Sequence, residues 1–104
     1  MTFKGRHGTY ENCHLYFRGF YMDDSPAIDV CNAEGRIVCH LTICLCRGYL
    51  ARYESFVLAN DNYALDFIRE YQLGEKTERK VQIGCDTYTT VIFDIDQVRK
   101  YSEV

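Results

Sequence analysis

The feature that most constrains the fold is a change of hydrophobic period near residue 60. Before it, runs of aromatic and β-branched residues alternate with short turn sequences, and such runs favour strands. They predict strands at 14–22, 27–31, 36–44 and 53–58. Turns are expected at 23–26, where aspartates precede the one proline, and at 32–35, where Gly35 can take positive φ.

After residue 60 the apolar residues follow a helical period. They are Tyr63, Ala64, Phe67, Ile68 and Tyr71. Asn60 or Asp61 is the expected N-terminal cap, because their side chains can accept bonds from free backbone N–H groups. Gly74 is the expected stop.

The rest of the chain predicts a charged loop, a hairpin and a short helical tail. Their ranges are 75–80, then 81–83 and 88–95 around 84–86, then 96–104. Together the elements predict one α+β domain over residues 1–104, with an antiparallel β-sheet of five to six strands and one main α-helix packed on a face.

The net charge of the chain limits the kinds of macromolecule that it can bind. Twelve basic and fifteen acidic residues give a formal charge of −3. A domain that grips a nucleic-acid backbone needs a basic patch, so we expect no direct nucleic-acid binding.

Small acidic groups and surface tyrosines predict a protein interface instead, because tyrosine is large and amphipathic. The predicted partner-binding residues are Asp23, Asp24, Asp61, Asp66, Glu70 and Tyr63. The alternative is that these acidic groups form a solvated surface with no partner.

The expected location is the cytoplasm. No apolar run approaches the ~18 residues of a membrane span. The first ten residues carry charges and glycines where a signal peptide would be apolar. We therefore expect no membrane partner, and a reducing compartment in which cysteines stay unpaired.

Six cysteines are the unusual part of the composition. They are Cys13, Cys31, Cys39, Cys44, Cys46 and Cys85. Two interpretations remain open, since cysteine serves both as a small buried hydrophobe and as a zinc ligand. In a continuing strand, the side chains of Cys44 and Cys46 would lie roughly 6–7 Å apart, too far for one zinc ion unless the chain turns there. Arg47 and Gly48 allow such a turn.

Pairing the strands about the expected turns reduces the number of cysteines that could bind one zinc ion. It puts Cys44 near the 23–24 turn and Cys13 near the 32–35 turn. Cys85 lies at a separate hairpin turn and is free to approach. The predicted structural zinc site is therefore Cys44, Cys46 and Cys85, with His7 or Cys13 as the fourth ligand.

No residue pair has the spacing of a catalytic site. Cys39 and His40 are adjacent on a predicted strand, so their side chains point to opposite faces and cannot act as nucleophile and base. Asp94 and Asp96 share a face near a strand end, where a helix cap is the simpler interpretation. We expect a non-enzymatic protein that acts by binding another macromolecule.

The central stretch resembles a family of small uncharacterised proteins carried by phages and mobile elements. The residues that carry the resemblance are Ala27-Ile28-Asp29-Val30, Glu34-Gly35 and Leu41-Thr42-Ile43, with Asn62 and 64–73 for the helix and Gly84 and 88–92 for the closing hairpin. Small acidic phage proteins of this kind include the anti-CRISPR inhibitors. Among them, the chain is similar to the cysteine-rich, zinc-binding type II-A inhibitors of the CRISPR effector nuclease.

The resemblance implies binding to the recognition lobe of the type II nuclease inside a bacterial host cell, which would block target-DNA loading. That nuclease holds nucleic acid in a positively charged channel, so an acidic face could dock at or beside it. The alternative is a zinc-stabilised accessory or regulatory binding domain of a phage or mobile element.

Overall fold

The computed structural model describes residues 1–102, which contain eight strands and two helices. The strands are β1 (Phe3–Gly5), β2 (Gly8–Tyr10), β3 (His14–Phe20), β4 (Pro26–Cys31), β5 (Ile37–His40), β6 (Glu54–Leu58), β7 (Gly74–Ile83) and β8 (Asp86–Phe93). The helices are α1 (Tyr63–Glu70) and α2 (Ile95–Lys100). Neither helix is long and apolar enough to reach across a bilayer.

The strands form three antiparallel sheets, so the α+β class is confirmed but the prediction of a single sheet of five to six strands is wrong. The sheets have the orders β1-β2, β3-β4-β5 and β6-β8-β7. One isolated antiparallel bridge, Ile43 to Phe56, joins the segment after β5 to β6.

The break between the two larger sheets comes from Thr42. Its Oγ1 accepts a hydrogen bond from the backbone N–H of Ile28 at 2.9 Å, where a continuing β5 would offer a carbonyl. Leu41 and Thr42 both donate their N–H groups to the Ile28 carbonyl, at 3.0 and 3.2 Å. Because one side chain replaces the backbone ladder, the predicted strand 36–44 ends at His40.

Helix α1 begins without a side-chain cap, and the expectation of Asn60 or Asp61 as the cap is wrong. Asn62 holds the N-cap position with φ 61 and makes no side-chain cap bond. The Asn60 amide is used elsewhere, since its Oδ1 accepts from the Thr87 N–H at 2.7 Å and ties the end of β6 to β8. At the other end Gln72 takes positive φ, at 55°, in place of the predicted Gly74.

Gly74 instead opens β7, and the predicted loop 75–80 belongs to that strand. Gly74 pairs with Phe93 so closely that a Cβ on it would lie 2.6 Å from the Ile92 carbonyl oxygen. Strand β7 is an edge strand, where charged side chains reach water while the backbone still pairs with β8.

Helix α2 follows β8 directly. Asp94 caps it as predicted, because its Oδ1 accepts from the Gln97 N–H at 3.2 Å. The predicted tail ran to residue 104, and its last two residues lie outside the described part of the chain.

The core is one cluster that draws on all three sheets and both helices. Its fully buried members, none more than 1% exposed, include Leu15, Ile28, Val30, Leu41, Val57, Leu73, Val91 and Val98. Strand β4 lies at the centre of its sheet and all six of its residues are buried. It therefore sets the position of the turns at its two ends.

Candidate metal centre

The thiols of Cys44 and Cys46 lie side by side just after the Ile43 bridge. Their Sγ atoms are 3.3 Å apart. Cys46 takes φ 53 and Gly48 takes φ 69, so the backbone turns back within the Cys-x-Cys pair itself. The turn that the sequence required for a shared ligand site is therefore present, one residue earlier than expected.

Asp23 completes a three-residue group with the two thiols. Its carboxylate, Cys44 Sγ and Cys46 Sγ offer ligand atoms that all lie within 4.8 Å of one another. The prediction that Cys44 lies near the 23–24 turn is confirmed. The Tyr21 hydroxyl holds the two segments together, since it donates to the Thr42 carbonyl at 3.0 Å.

The two oxygens of Asp23 have different roles. Oδ1 accepts from the backbone N–H of Ser25 at 3.1 Å and from the Ser25 hydroxyl, which fixes the turn before β4. Oδ2 is buried and has no hydrogen-bond partner among residues 1–102. A buried polar atom without a partner is costly, so this oxygen is available to a ligand that the chain itself does not supply.

The environment keeps the Cys44 thiol protonated in the absence of a cation. Burial, the hydrogen bond with Cys46 and the negative charge of Asp23 raise the pKa of Cys44 to about 11. Reactive cysteines instead sit in electropositive surroundings that lower the pKa. A metal ion would reverse the balance, because it favours the thiolate.

Three predicted ligands lie outside this group. Cys13 is buried and donates its thiol to the Tyr10 carbonyl at 3.3 Å. It precedes His14, which pairs with Cys31 at the far end of the β3–β4 hairpin. The length of β4 places that end about 17 Å from the Asp23 turn. His7 is exposed in the β1–β2 turn.

Cys85 is also kept apart, and the direction of the chain explains why. The Ile43 bridge to Phe56 is antiparallel, so the residues after Ile43 run toward Glu54. Cys85 lies at the opposite end of that sheet, in the β7–β8 turn, where its carbonyl accepts from the Asn60 side chain at 3.3 Å.

The interpretation of cysteine as a small buried hydrophobe fits three of the other cysteines. Cys13 and Cys31 are buried and Cys39 is half-buried against the core. Burial raises the pKa of Cys13 and of Cys31, and it raises the pKa of Cys39 to about 11. These three thiols act as small apolar side chains.

The predicted partner-binding residues fall in two separate places. Asp23 and Asp24 lie in the β3–β4 turn; Asp61, Tyr63, Asp66 and Glu70 lie at and on α1. On α1 part of the charge is neutralised, since Asp61 pairs with Arg6 and Asp66 pairs with Arg69 at 2.8 Å. The helix therefore carries ion pairs and not a continuous negative face.

A second polar group, which the sequence did not predict, crosses the β3-β4-β5 sheet. Asp29 is fully buried, and its Oδ1 lies 2.8 Å from His40 Nδ1. Arg18 Nε is 2.8 Å from Oδ2 but lacks hydrogen-bond geometry. The register pairs Asp29 with His40, whereas Cys39 packs toward the core, so the two neighbours lie on opposite faces as predicted.

This second group orients a histidine without supplying a nucleophile. Within residues 1–102, the His40 ring forms one side-chain hydrogen bond, and its partner is Asp29. The signal that could have revealed the pair is the cross-strand register, which depends on an irregularity between Val30 and Cys31.

The fold and the site define a small antiparallel α+β protein with a thiol–carboxylate group able to hold a metal ion. The chain belongs to the family described as Domain of unknown function (DUF4313), which matches residues 19–104. The matched segment includes Asp23, Cys44 and Cys46. No curated protein and no solved structure matches the chain significantly. None of these comparisons links it to anti-CRISPR proteins, so that function stays a prediction.

Proposed function

We propose that this chain is a non-catalytic protein-binding domain whose binding surface is held in shape by a zinc ion on Asp23, Cys44 and Cys46. The observation that supports it is the convergence of two thiols and a carboxylate with a buried, unpartnered oxygen.

The chemistry of the donors favours zinc. Thiolates are soft ligands that select zinc over calcium or magnesium, which prefer oxygen. Two sulfurs on a tetrahedral zinc, each about 2.3 Å from the metal, lie about 3.8 Å apart. The observed separation of the two Sγ atoms is 3.3 Å. An opening of about 0.5 Å would therefore admit the ion.

The ion would stabilise a segment that has little regular structure. Between β5 and β6 the described chain forms no strand, and its one β-bridge is that of Ile43 to Phe56. Three ligands from the chain would fix this segment to the β3–β4 turn and leave one position for water or for a group of the partner.

Metal analysis with matched cysteine variants tests the zinc site. Protein purified in zinc-containing buffer and desalted should carry about one zinc per chain by mass spectrometry, as expected for one structural site. Cys46→Ser should lose the metal. Cys85→Ser is the matched control, since both cysteines are exposed, and it should keep the metal.

Two results would contradict the zinc site. One is wild-type protein that holds less than about half a zinc per chain, far below the one ion of a structural site. The other is equal loss of metal from Cys85→Ser and Cys46→Ser.

The anti-CRISPR inhibitor is a second candidate within the same class, and the thiol group favours it because the resemblance is to zinc-binding inhibitors. Its test is target cleavage by a type II nuclease loaded with guide RNA, with and without this protein. Inhibition that Cys46→Ser weakens and Cys85→Ser leaves intact would support it. Full cleavage at a tenfold molar excess over each nuclease tried would count against it.

A further inference from the structure

A groove with a volume of about 660 Å³ lies beside the metal centre. One wall is the segment 48–53, and the other is formed by Phe20, the 23–24 turn and Arg99 of α2. Asp23 belongs both to this lining and to the metal group. The metal centre therefore supports one wall of the groove.

Exposed aromatic side chains line the groove. Phe20 is 50% exposed and Tyr49 is 85% exposed, which leaves both available to a partner. Phe20 stacks on Tyr53 with ring centres 6.4 Å apart. Large amphipathic side chains in a concave surface are typical of the centre of a protein interface.

Two arginines in the lining contact aromatic rings and have no acidic partner among residues 1–102. The guanidinium of Arg52 lies 4.8 Å from the centre of the Tyr53 ring, and that of Arg99 lies 5.9 Å from the centre of the Phe17 ring. A cation–π contact restrains a guanidinium beside the ring and leaves N–H groups free for a carboxylate. Neither arginine forms an ion pair with any of residues 1–102.

The carboxylates of the lining do not neutralise these arginines. Asp23 accepts from Ser25 with one oxygen and its other oxygen is buried, and it forms no ion pair with Arg52 or Arg99 within residues 1–102. Asp24 is exposed, with φ 66, at the tip of the turn. It is the more exposed of the two carboxylates in the lining.

We propose that this groove binds an acidic segment of a partner protein, with carboxylates on Arg52 and Arg99 and an apolar side chain packed against the rings of Phe20 and Tyr49. The inference rests on the proposed function as a protein-binding domain and names its surface and the chemistry of its partner. Bidentate arginine–carboxylate pairs supply orientation, and the aromatic rings supply apolar contact area.

Nucleic acid is the competing anion, and the charge of the chain disfavours it. Stacked arginines and tyrosines also suit bases and phosphates. A phosphate backbone is a continuous line of charge, however, which would run past Asp24 and meet a protein of net charge −3. A peptide can place its carboxylates only where the arginines are.

An array of random synthetic octapeptides, probed with the full-length zinc-loaded protein, tests the proposal. Captured peptides should be rich in Asp and Glu next to an aromatic residue or leucine. The strongest binder, labelled with fluorescein, then gives a dissociation constant by fluorescence anisotropy. A fluorescein-labelled thymidine 20-mer is the nucleic-acid arm.

Matched variants locate the binding. Arg52→Ala and Arg99→Ala should each weaken peptide binding about tenfold, the size of one charged hydrogen-bonded contact. Arg36→Ala is the control, because Arg36 is exposed in the β4–β5 turn, away from the groove, and should leave affinity unchanged. Asp24→Asn should tighten binding about two- to threefold, since it removes the repelling charge.

Each outcome decides the proposal. An array without binders, enrichment of basic peptides, equal loss in Arg36→Ala, or tighter binding of the oligonucleotide overturns it. Zinc content of the same samples separates the two proposals. If the protein binds zinc but no peptide, the zinc site is supported and the groove proposal is overturned. If it binds peptide but no zinc, the groove proposal is supported and the zinc site is overturned.

Discussion

The change Asp23→Asn is expected to have opposite effects on stability with and without zinc. Asparagine keeps the Oδ1 that accepts two bonds from Ser25. It replaces Oδ2, which is buried and unpartnered within residues 1–102, with an amide group on a side chain that lies close to the thiols of Cys44 and Cys46. The turn is thus preserved while the ligand atom and its charge are removed.

Without metal, the substitution should stabilise the protein. A buried polar atom without a partner costs roughly 1–3 kcal/mol. The new amide can donate to a thiol sulfur, which is a weak acceptor, and the charge that opposes ionisation of Cys44 is gone. We expect recovery of part of that cost, about 0.5–1 kcal/mol in the free energy of unfolding.

With zinc, the same substitution should destabilise the protein. Loss of residues that merely orient a metal ligand weakens metal binding about 10–100-fold, and loss of a ligand should do at least as much. In saturating zinc this removes about 1.4–2.7 kcal/mol, and after the gain of about 0.5–1 kcal/mol in the metal-free protein the net loss is roughly 0.4–2.2 kcal/mol. Each kcal/mol moves the midpoint of thermal unfolding by about 4–8 °C in a domain of this size.

Thermal unfolding followed by circular dichroism, in EDTA and in excess zinc chloride, measures both effects. Asp24→Asn is the control, because Asp24 is exposed and its φ of 66° is one that asparagine adopts readily. It should leave both midpoints unchanged. A shift of the same sign in the two buffers, or equal shifts in the two variants, would refute the reasoning.

Three further predictions concern single groups. Zinc affinity should fall at least about tenfold for each unit of pH from 8 to 6, because the pKa of Cys44, about 11, lies above that range and the metal must displace its proton. A competition titration with a zinc indicator that gave a flat profile would contradict this. Asp94→Ala should lower the free energy of unfolding by about 1 kcal/mol in urea, since the Gln97 N–H loses its cap, and an unchanged midpoint would count against the cap. Gly74→Ala should cost about 1–3 kcal/mol or more, because its Cβ would lie 2.6 Å from the Ile92 carbonyl oxygen; a variant as stable as wild type in the same assay would disprove the close approach.

Local sequence patterns correctly predicted the strands and the helix start that depend on neighbouring residues alone. Alternation and turn residues placed β3, β4 and β6 to within a few residues, and the strand-end aspartate Asp94 marked the start of α2. The prediction of a loop at 75–80 rested on its charged residues and is wrong, because these residues belong to β7. An edge strand tolerates them because one side of its backbone and most of its side chains face water.

Side chains that take the place of backbone groups could not be read from the sequence. Thr42 reads as an ordinary strand residue, yet its hydroxyl accepts the Ile28 N–H and ends the sheet. Asn60 reads as a helix cap, yet its amide joins β6 to β8. In both cases the outcome depends on which distant backbone group is nearest, and periodicity carries no information about that.

The candidate metal centre could be predicted only in part, for a related reason. The proximity of Cys44 to the 23–24 turn follows from hairpin pairing alone, and it is confirmed. Asp23 was assigned to turn chemistry, which Oδ1 does perform. A carboxylate has two oxygens, and only the fold shows that the second one is buried without a partner among residues 1–102.

Departures from regular strand geometry build both polar groups of this protein. The irregularity between Phe17 and Gly19 falls at Arg18, and the one between Val30 and Cys31 sets the register that pairs Asp29 with His40. Positive φ at Cys46 closes the thiol pair. A regular hairpin would have given each of these residues a different neighbour, because a one-residue slip moves every side chain to the other face. Bulges and turns of this kind re-aim side chains at the cost of a locally weaker ladder, so they are the places where a chain of this size has room for function.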